Sequence, residues 1–233
     1  MEVARKAEAP EVLSYQALRT AVGGVALGLP FALAIPWWLV CKRTIETSIS
    51  AYYHTGMRNL FVGSLCAIAM FMLCTRGYDH KDEMAGVFSA ICALGVAFFP
   101  VKPDVGASSL KDHISIVHYT FATSLFLTLA YFCLVLFRMT AANRRLTSQK
   151  LKRNRVYTVC GYLIIASVLL IAVLKLLKFL GVVHTDYLFG CVGWTFCLES
   201  TALFAFGIAW LTKGETFLKD QVAPTDSAFR SLQ

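Results

Sequence analysis

Charge is scarce in this chain. Only 15% of its 233 residues are Asp, Glu, Lys or Arg, where a soluble domain carries about 25%. With 57% hydrophobic residues, a soluble fold would leave apolar surface in water, a conflict that a bilayer removes. Acidic residues are the scarcer sign, 14 against 22 Lys and Arg, for a net charge of +8. The basic residues flank apolar runs and form no stripe, so they read as orientation signals and not as a nucleic-acid surface.

The motifs of several chemistries are also missing. There is no Gly-rich phosphate loop, no dinucleotide-binding pattern, no C-x-x-C-H haem motif and no pair of histidines placed to face each other within apolar runs. None of the eight cysteines forms a C-x-x-C pair, and all but Cys41 and Cys191 fall well inside apolar runs. That argues against a disulfide framework or a zinc site and leaves the thiols as small hydrophobes. No cofactor is expected, no internal repeat is visible, and nothing indicates an oligomer.

What remains is a succession of apolar runs: 21–40, 59–75, 84–100, 117–137, 156–174 and 189–211. Each approaches the roughly 20 residues that a helical span requires, and the second and third stand at the lower limit of about 17. The expected fold is all-α: a polytopic bundle of about six transmembrane helices over 21–211, between a polar segment 1–20 and a polar tail 212–233. Pro30 and Pro36 lie in the first run and would kink it. Trp37-Trp38 suit an interfacial belt. Gly24 and Gly28 have the spacing of a close helix contact. Ala32-Leu33-Ala34 resembles a signal-peptide cleavage site, but the long acid-containing leader argues against that reading.

Six spans place both termini on one side. With the N-terminus inside, inner segments hold fifteen Lys and Arg and outer segments seven. The positive-inside rule then puts both termini in the cytoplasm. The basic loop 138–155 carries most of the bias and could also attract anionic lipid. The expected location is a bacterial inner membrane, multi-pass, with the bilayer as the main partner.

This orientation gathers polar residues on the outer side. The densest cluster is Thr47–Asn59, TSISAYYHTGMRN. Tyr52, Tyr53, His54 and Arg58 could anchor at the interface, or hold a lipid or small ligand whose phosphate or carboxylate meets His54 and Arg58. Ser50 and His54, four apart, would share one helix face and could be catalytic. His54, His113, His118 and His184 all fall on or near the outer side, as a metal site would need. Glu199 stands alone as an acid within an apolar run, near the middle of the sixth. There it must pair, face the interior or be protonated, which allows a proton- or ion-coupled carrier.

Two resemblances add expectations. The strings SISAYYHTGMRNLFVGSLCAI, RGYD, AFFP and FGIAWLTKGE resemble, along most of the chain, a group of small bacterial inner-membrane proteins of uncharacterised activity. That likeness implies class and compartment. Ser50-x-x-x-His54, followed by Asp79 and a later histidine pair, resembles the CREST membrane hydrolases, which use such residues around zinc. It implies a metal-dependent hydrolase. The sequence departs from that family in having six runs where the family has seven. His113 and His118 have four residues between them where the family has three. Asp79 also falls on the other side of the bilayer from His54.

Overall fold

The computed structural model describes residues 15–41, 44–74, 80–102, 109–139, 147–188, 192–214 and 216. Among them are six α-helices: α1 Tyr15–Cys41, α2 Arg58–Cys74, α3 His80–Phe98, α4 Ser109–Leu134, α5 Ser148–Phe179 and α6 Trp194–Lys213. Two 3-10 turns, Ser50–His54 and Leu136–Arg138, join them. A two-residue antiparallel pair sets Tyr187 opposite Gly193 and Leu188 opposite Val192. The fold is all-α, as the apolar runs imply. The segments 1–14 and 217–233, Asp79 and most of the 138–155 loop's centre lie outside the described residues.

Four helical stretches are long and apolar enough to cross a membrane: Gln16–Val40, His113–Arg138, Ser148–Phe179 and Trp194–Lys213. Helix α2 is apolar but has 17 residues, and α3 opens on the polar turn His80-Lys81-Asp82-Glu83. The helices overrun the apolar runs because hydropathy does not report capping or dipole effects. Thr147 caps α5 by accepting from the Lys150 amide at 3.1 Å. Asp82 and Glu83 sit at the positive end of α3. The sixth helix does the reverse and starts at Trp194, because the strand pair occupies the stretch before it. Pro30 and Pro36 lie inside α1 without ending it.

The helices pack in sequence order, and α6 closes on α1 to complete a ring, with α4 and α6 also touching across it. The α1–α6 seam depends on glycine. A Cβ on Gly23 would stand 2.7 Å from Leu211 and 3.0 Å from the Gly207 carbonyl; one on Gly207 would meet Leu27 at 2.7 Å. Missing side chains therefore let the two backbones approach. The G-x-x-x-G pair Gly24 and Gly28 faces open space instead. It lies on the wrong side of α1 for that contact.

One end of the ring carries the start of α1 and the end of α6, where the Arg19 guanidinium donates to the Lys213 carbonyl at 3.5 Å. We call this the terminal end. Its core is aromatic: Trp210 packs against Phe132, Phe137 and Phe206 with centroids at 5.2, 4.9 and 4.9 Å, and Phe137 meets Tyr157 at 5.4 Å. At the opposite end residues 44–57 cross the bundle as a strap. Between the two ends, α5 turns Val159, Tyr162, Leu169, Val173 and Leu176 outward into exposure. An apolar rim of this extent suits lipid and not water.

Candidate functional site

The strap is built from its own polar side chains. The Ser48 hydroxyl accepts from the Ala51 amide at 3.0 Å. The Thr55 hydroxyl donates to the Tyr52 carbonyl at 2.8 Å and accepts from the Met57 amide at 3.1 Å. Such short side chains bond the backbone locally and favour turns over helix. The result is the 3-10 turn Ser50–His54. With three residues per turn, Ser50 and His54 do not line one face as they would in an α-helix. They take different partners.

Ser50 reaches α4. Its Oγ lies 3.0 Å from Nε2 of His118, whose Nδ1 lies 2.5 Å from the Phe99 carbonyl oxygen. A carbonyl only accepts, so Nδ1 carries the hydrogen. In the neutral ring Nε2 is then the acceptor, and the serine hydroxyl donates to it. Both groups are secluded, His118 being 1% and Ser50 8% exposed. His54 reaches the end of α3, where Nε2 donates to the Val101 carbonyl at 2.6 Å. Its ring also meets Tyr53 edge-on at 5.3 Å.

Glu199 closes the same site from α6. It stands in the second turn of that helix, close to the strap end and not at mid-span, because α6 begins later than its apolar run. Its Oε2 accepts from the Ile49 amide at 2.7 Å, the Ser50 backbone faces the same carboxylate, and Lys175 is the cation within electrostatic reach. Glu199 is half-buried, and a carboxylate withdrawn from water is tolerated where backbone donors replace it. Ser50 is thus held twice, by its hydroxyl on α4 and near its amide by α6. A further bond runs from the Phe196 amide, one of the first-turn donors of α6, to the Thr47 carbonyl at 2.9 Å. Gly193 lets the strap lie this close, since any Cβ there would enter the Thr47 backbone.

The two tyrosines differ. Tyr52 is fully buried between Trp37 and Phe196, with centroids at 6.4 and 6.2 Å. Burial pushes its hydroxyl up to about 12, with the Glu46 backbone and charge as smaller influences. The hydroxyl faces that backbone without the geometry of a hydrogen bond. Tyr53 is partly exposed, and its hydroxyl accepts from Arg58 at 2.6 Å while the guanidinium sits 4.4 Å above its ring. Arg58 and His54 are exposed beside it.

Of the four histidines expected to gather, His54 and His118 join the strap, whereas His113 and His184 are exposed and make none of these bonds. No three His, Cys, Asp or Glu groups converge as a metal would need, among the described residues. Sequence reasoning missed the carbonyls of Phe99 and Val101. A signal was present for the first. In a continued helix Pro103 would donate to the Phe99 carbonyl and Pro100 to that of Val96, and proline has no N–H to give. His118 bonds Phe99, and its ring is also turned to the Val96 backbone.

Comparison with protein-family models finds no match, and neither curated proteins nor solved structures yield one.

Proposed function

We propose that this chain is a multi-pass protein of a bacterial inner membrane, with six spans, both termini cytoplasmic and the strap facing outward. The four long apolar helices, the exposed apolar rim of α5 and the excess of Lys and Arg at the terminal end support this reading. Within that frame, the function we propose is serine-centred acyl transfer on a membrane-borne substrate.

The observation that carries it is the Ser50–His118–Phe99 chain. A serine is a weak nucleophile until a base takes its proton, and the base works best when a third group fixes its tautomer. Here the Phe99 carbonyl has that orienting role. In the proposed step, Ser50 Oγ bonds to the acyl carbon and its proton passes to Nε2 of His118. The proton then goes to the leaving group as the acyl bond breaks. Water, activated by the same nitrogen, releases the acid and restores Ser50. A zinc-dependent version would require His54 and His118 to exchange their carbonyl and serine partners for the ion.

The test is a fluorophosphonate probe applied to purified protein in detergent. Labelling is expected at Ser50 and is lost in Ser50→Ala and His118→Ala. A wild-type chain that stays unlabelled, while Ser50→Ala merely melts at a lower temperature, overturns the catalytic reading. The burial of the same pair favours a second, non-catalytic reading in which the Ser50–His118 bond only fastens the strap. A lipid or small anionic ligand then docks on Tyr53, His54 and Arg58 above it.

A further inference from the structure

A groove of about 630 Å³ runs between α5 and α6 on the outer surface of the ring, in the half nearer the terminal end. Its floor is Cys160 and Ala205, both buried. Small side chains at these facing positions leave a volume that their neighbours do not fill. Phe204 and Ile208 form the wall on α6. At the terminal mouth stand Lys152 and Arg155, exposed and three residues apart on one face of α5. The lining holds no Asp or Glu among the described residues.

Three properties narrow the occupant. The volume is that of a ligand pocket. From Lys152 to Leu163 the helix rises about 16 Å, close to half of the roughly 30 Å hydrocarbon thickness, which is the reach of one acyl chain in one leaflet. The two cations mark one end only, at the headgroup level. Their neighbours on α5 are engaged elsewhere: the Lys150 ammonium donates to the Phe137 carbonyl at 2.9 Å, and Arg153 is buried.

We propose that the α5–α6 groove binds an anionic membrane lipid, its acyl chain over Cys160 and Ala205 and its phosphate against Lys152 and Arg155. The inference rests on the membrane reading above and is independent of Ser50 chemistry. Interfacial attraction of about fivefold per basic residue predicts that the pair favours an anionic over a zwitterionic headgroup roughly tenfold or more.

The full chain is purified in detergent and offered phosphatidylglycerol and phosphatidylcholine in equal amounts, and retained lipid is counted by native mass spectrometry. Wild type is expected to retain the anionic lipid roughly tenfold over the zwitterionic one. Lys152→Gln with Arg155→Gln brings the ratio near one. Ala205→Leu, which fills the floor, lowers anionic retention several-fold with both cations intact. Lys178→Gln, at the strap end, changes neither. Equal retention by wild type, or full preference in the double variant, overturns the proposal. Unchanged retention in Ala205→Leu does so too, because it shows that surface charge alone holds the lipid. Failure of the membrane reading has a different signature: the chain then stays in the aqueous phase without detergent.

Discussion

The two ends of the ring are closed by the same kind of bond and by opposite chemistry. At the terminal end, cations meet helix-end carbonyls. Lys150 donates to the Phe137 and Met139 carbonyls at 2.9 and 3.3 Å, and Lys213 donates to the Phe137 carbonyl at 3.5 Å with its ammonium 5.6 Å from the Phe137 ring. These charges complement the negative end of the helix dipole and share an acceptor. At the strap end, a carboxylate meets an amide and an imidazole meets a carbonyl. Each of those bonds has a single side-chain donor or acceptor, and one of them places a base on a serine. Shared cationic closure tolerates loss of a member. Closure in which each side chain serves its own bond does not.

The comparison is tested most severely at its glycines. Gly193→Val should cost at least about 3 kcal/mol, because the new side chain enters the Thr47 backbone, which cannot yield. Gly23→Ala at the other end meets mainly the flexible Leu211 side chain and should cost about 1–2 kcal/mol. Thermal unfolding in detergent ranks the two, and equal losses would erase the distinction between the ends.

A second pair of substitutions sharpens it. His118→Ala takes the partner from the buried Ser50 hydroxyl and removes one bond to the Phe99 carbonyl, which should cost about 2 kcal/mol. Lys150→Met leaves the Phe137 carbonyl with Lys213 and should cost about 1 kcal/mol or less. A smaller loss in the histidine variant than in the lysine variant would contradict the single-bond account.

The smallest effect separates packing from bonding within the strap. Tyr52→Phe removes a hydroxyl that makes no closed hydrogen bond, so stability at neutral pH should change by no more than about 0.5 kcal/mol. At alkaline pH the variant should gain on wild type, because only wild type carries a phenol that titrates. The folded state raises the Tyr52 hydroxyl from 10.0 to about 12, so deprotonation favours the unfolded chain. The resulting stability is fully present below pH 10 and is lost as pH rises through about 12. Wild type should therefore lose stability relative to Tyr52→Phe across that window. Melting curves of the two should keep a constant separation below it.

The helices were legible because an apolar run near the length of a bilayer span has few homes outside a membrane helix. Their ends were not. The starts of α4 and α5 lie in polar sequence whose helicity depends on capping and neighbours, and α6 loses its first residues to a strand pair that hydropathy reads as continuous helix. Glu199 was legible as an acid needing a partner, but its depth follows from where α6 starts, which hydropathy does not show. The Ser50–His118 bond spans 68 residues and could not be read from spacing. The prolines after α3 leave the Phe99 carbonyl open to His118, and the strap coils as a 3-10 turn, which separates Ser50 from the neighbouring His54. The seam followed the same rule: Gly24-x-x-x-Gly28 announced a contact, but which face of α1 meets α6 was decided by the partner helix.

The closure of the ring by its last helix also fixes an order in time. Ile49 and Ser50 are made early, and their counterpart Glu199 lies 150 residues beyond Ile49. During synthesis, α1 through α5 can be in place while the strap still lacks its α6 contacts to Thr47 and Ile49. The pairing of Ser50 with His118 can form earlier, since both precede α6. The two fastenings of the Ser50 turn therefore depend on helices far apart in the chain, α4 for the hydroxyl and α6 for the backbone beside it.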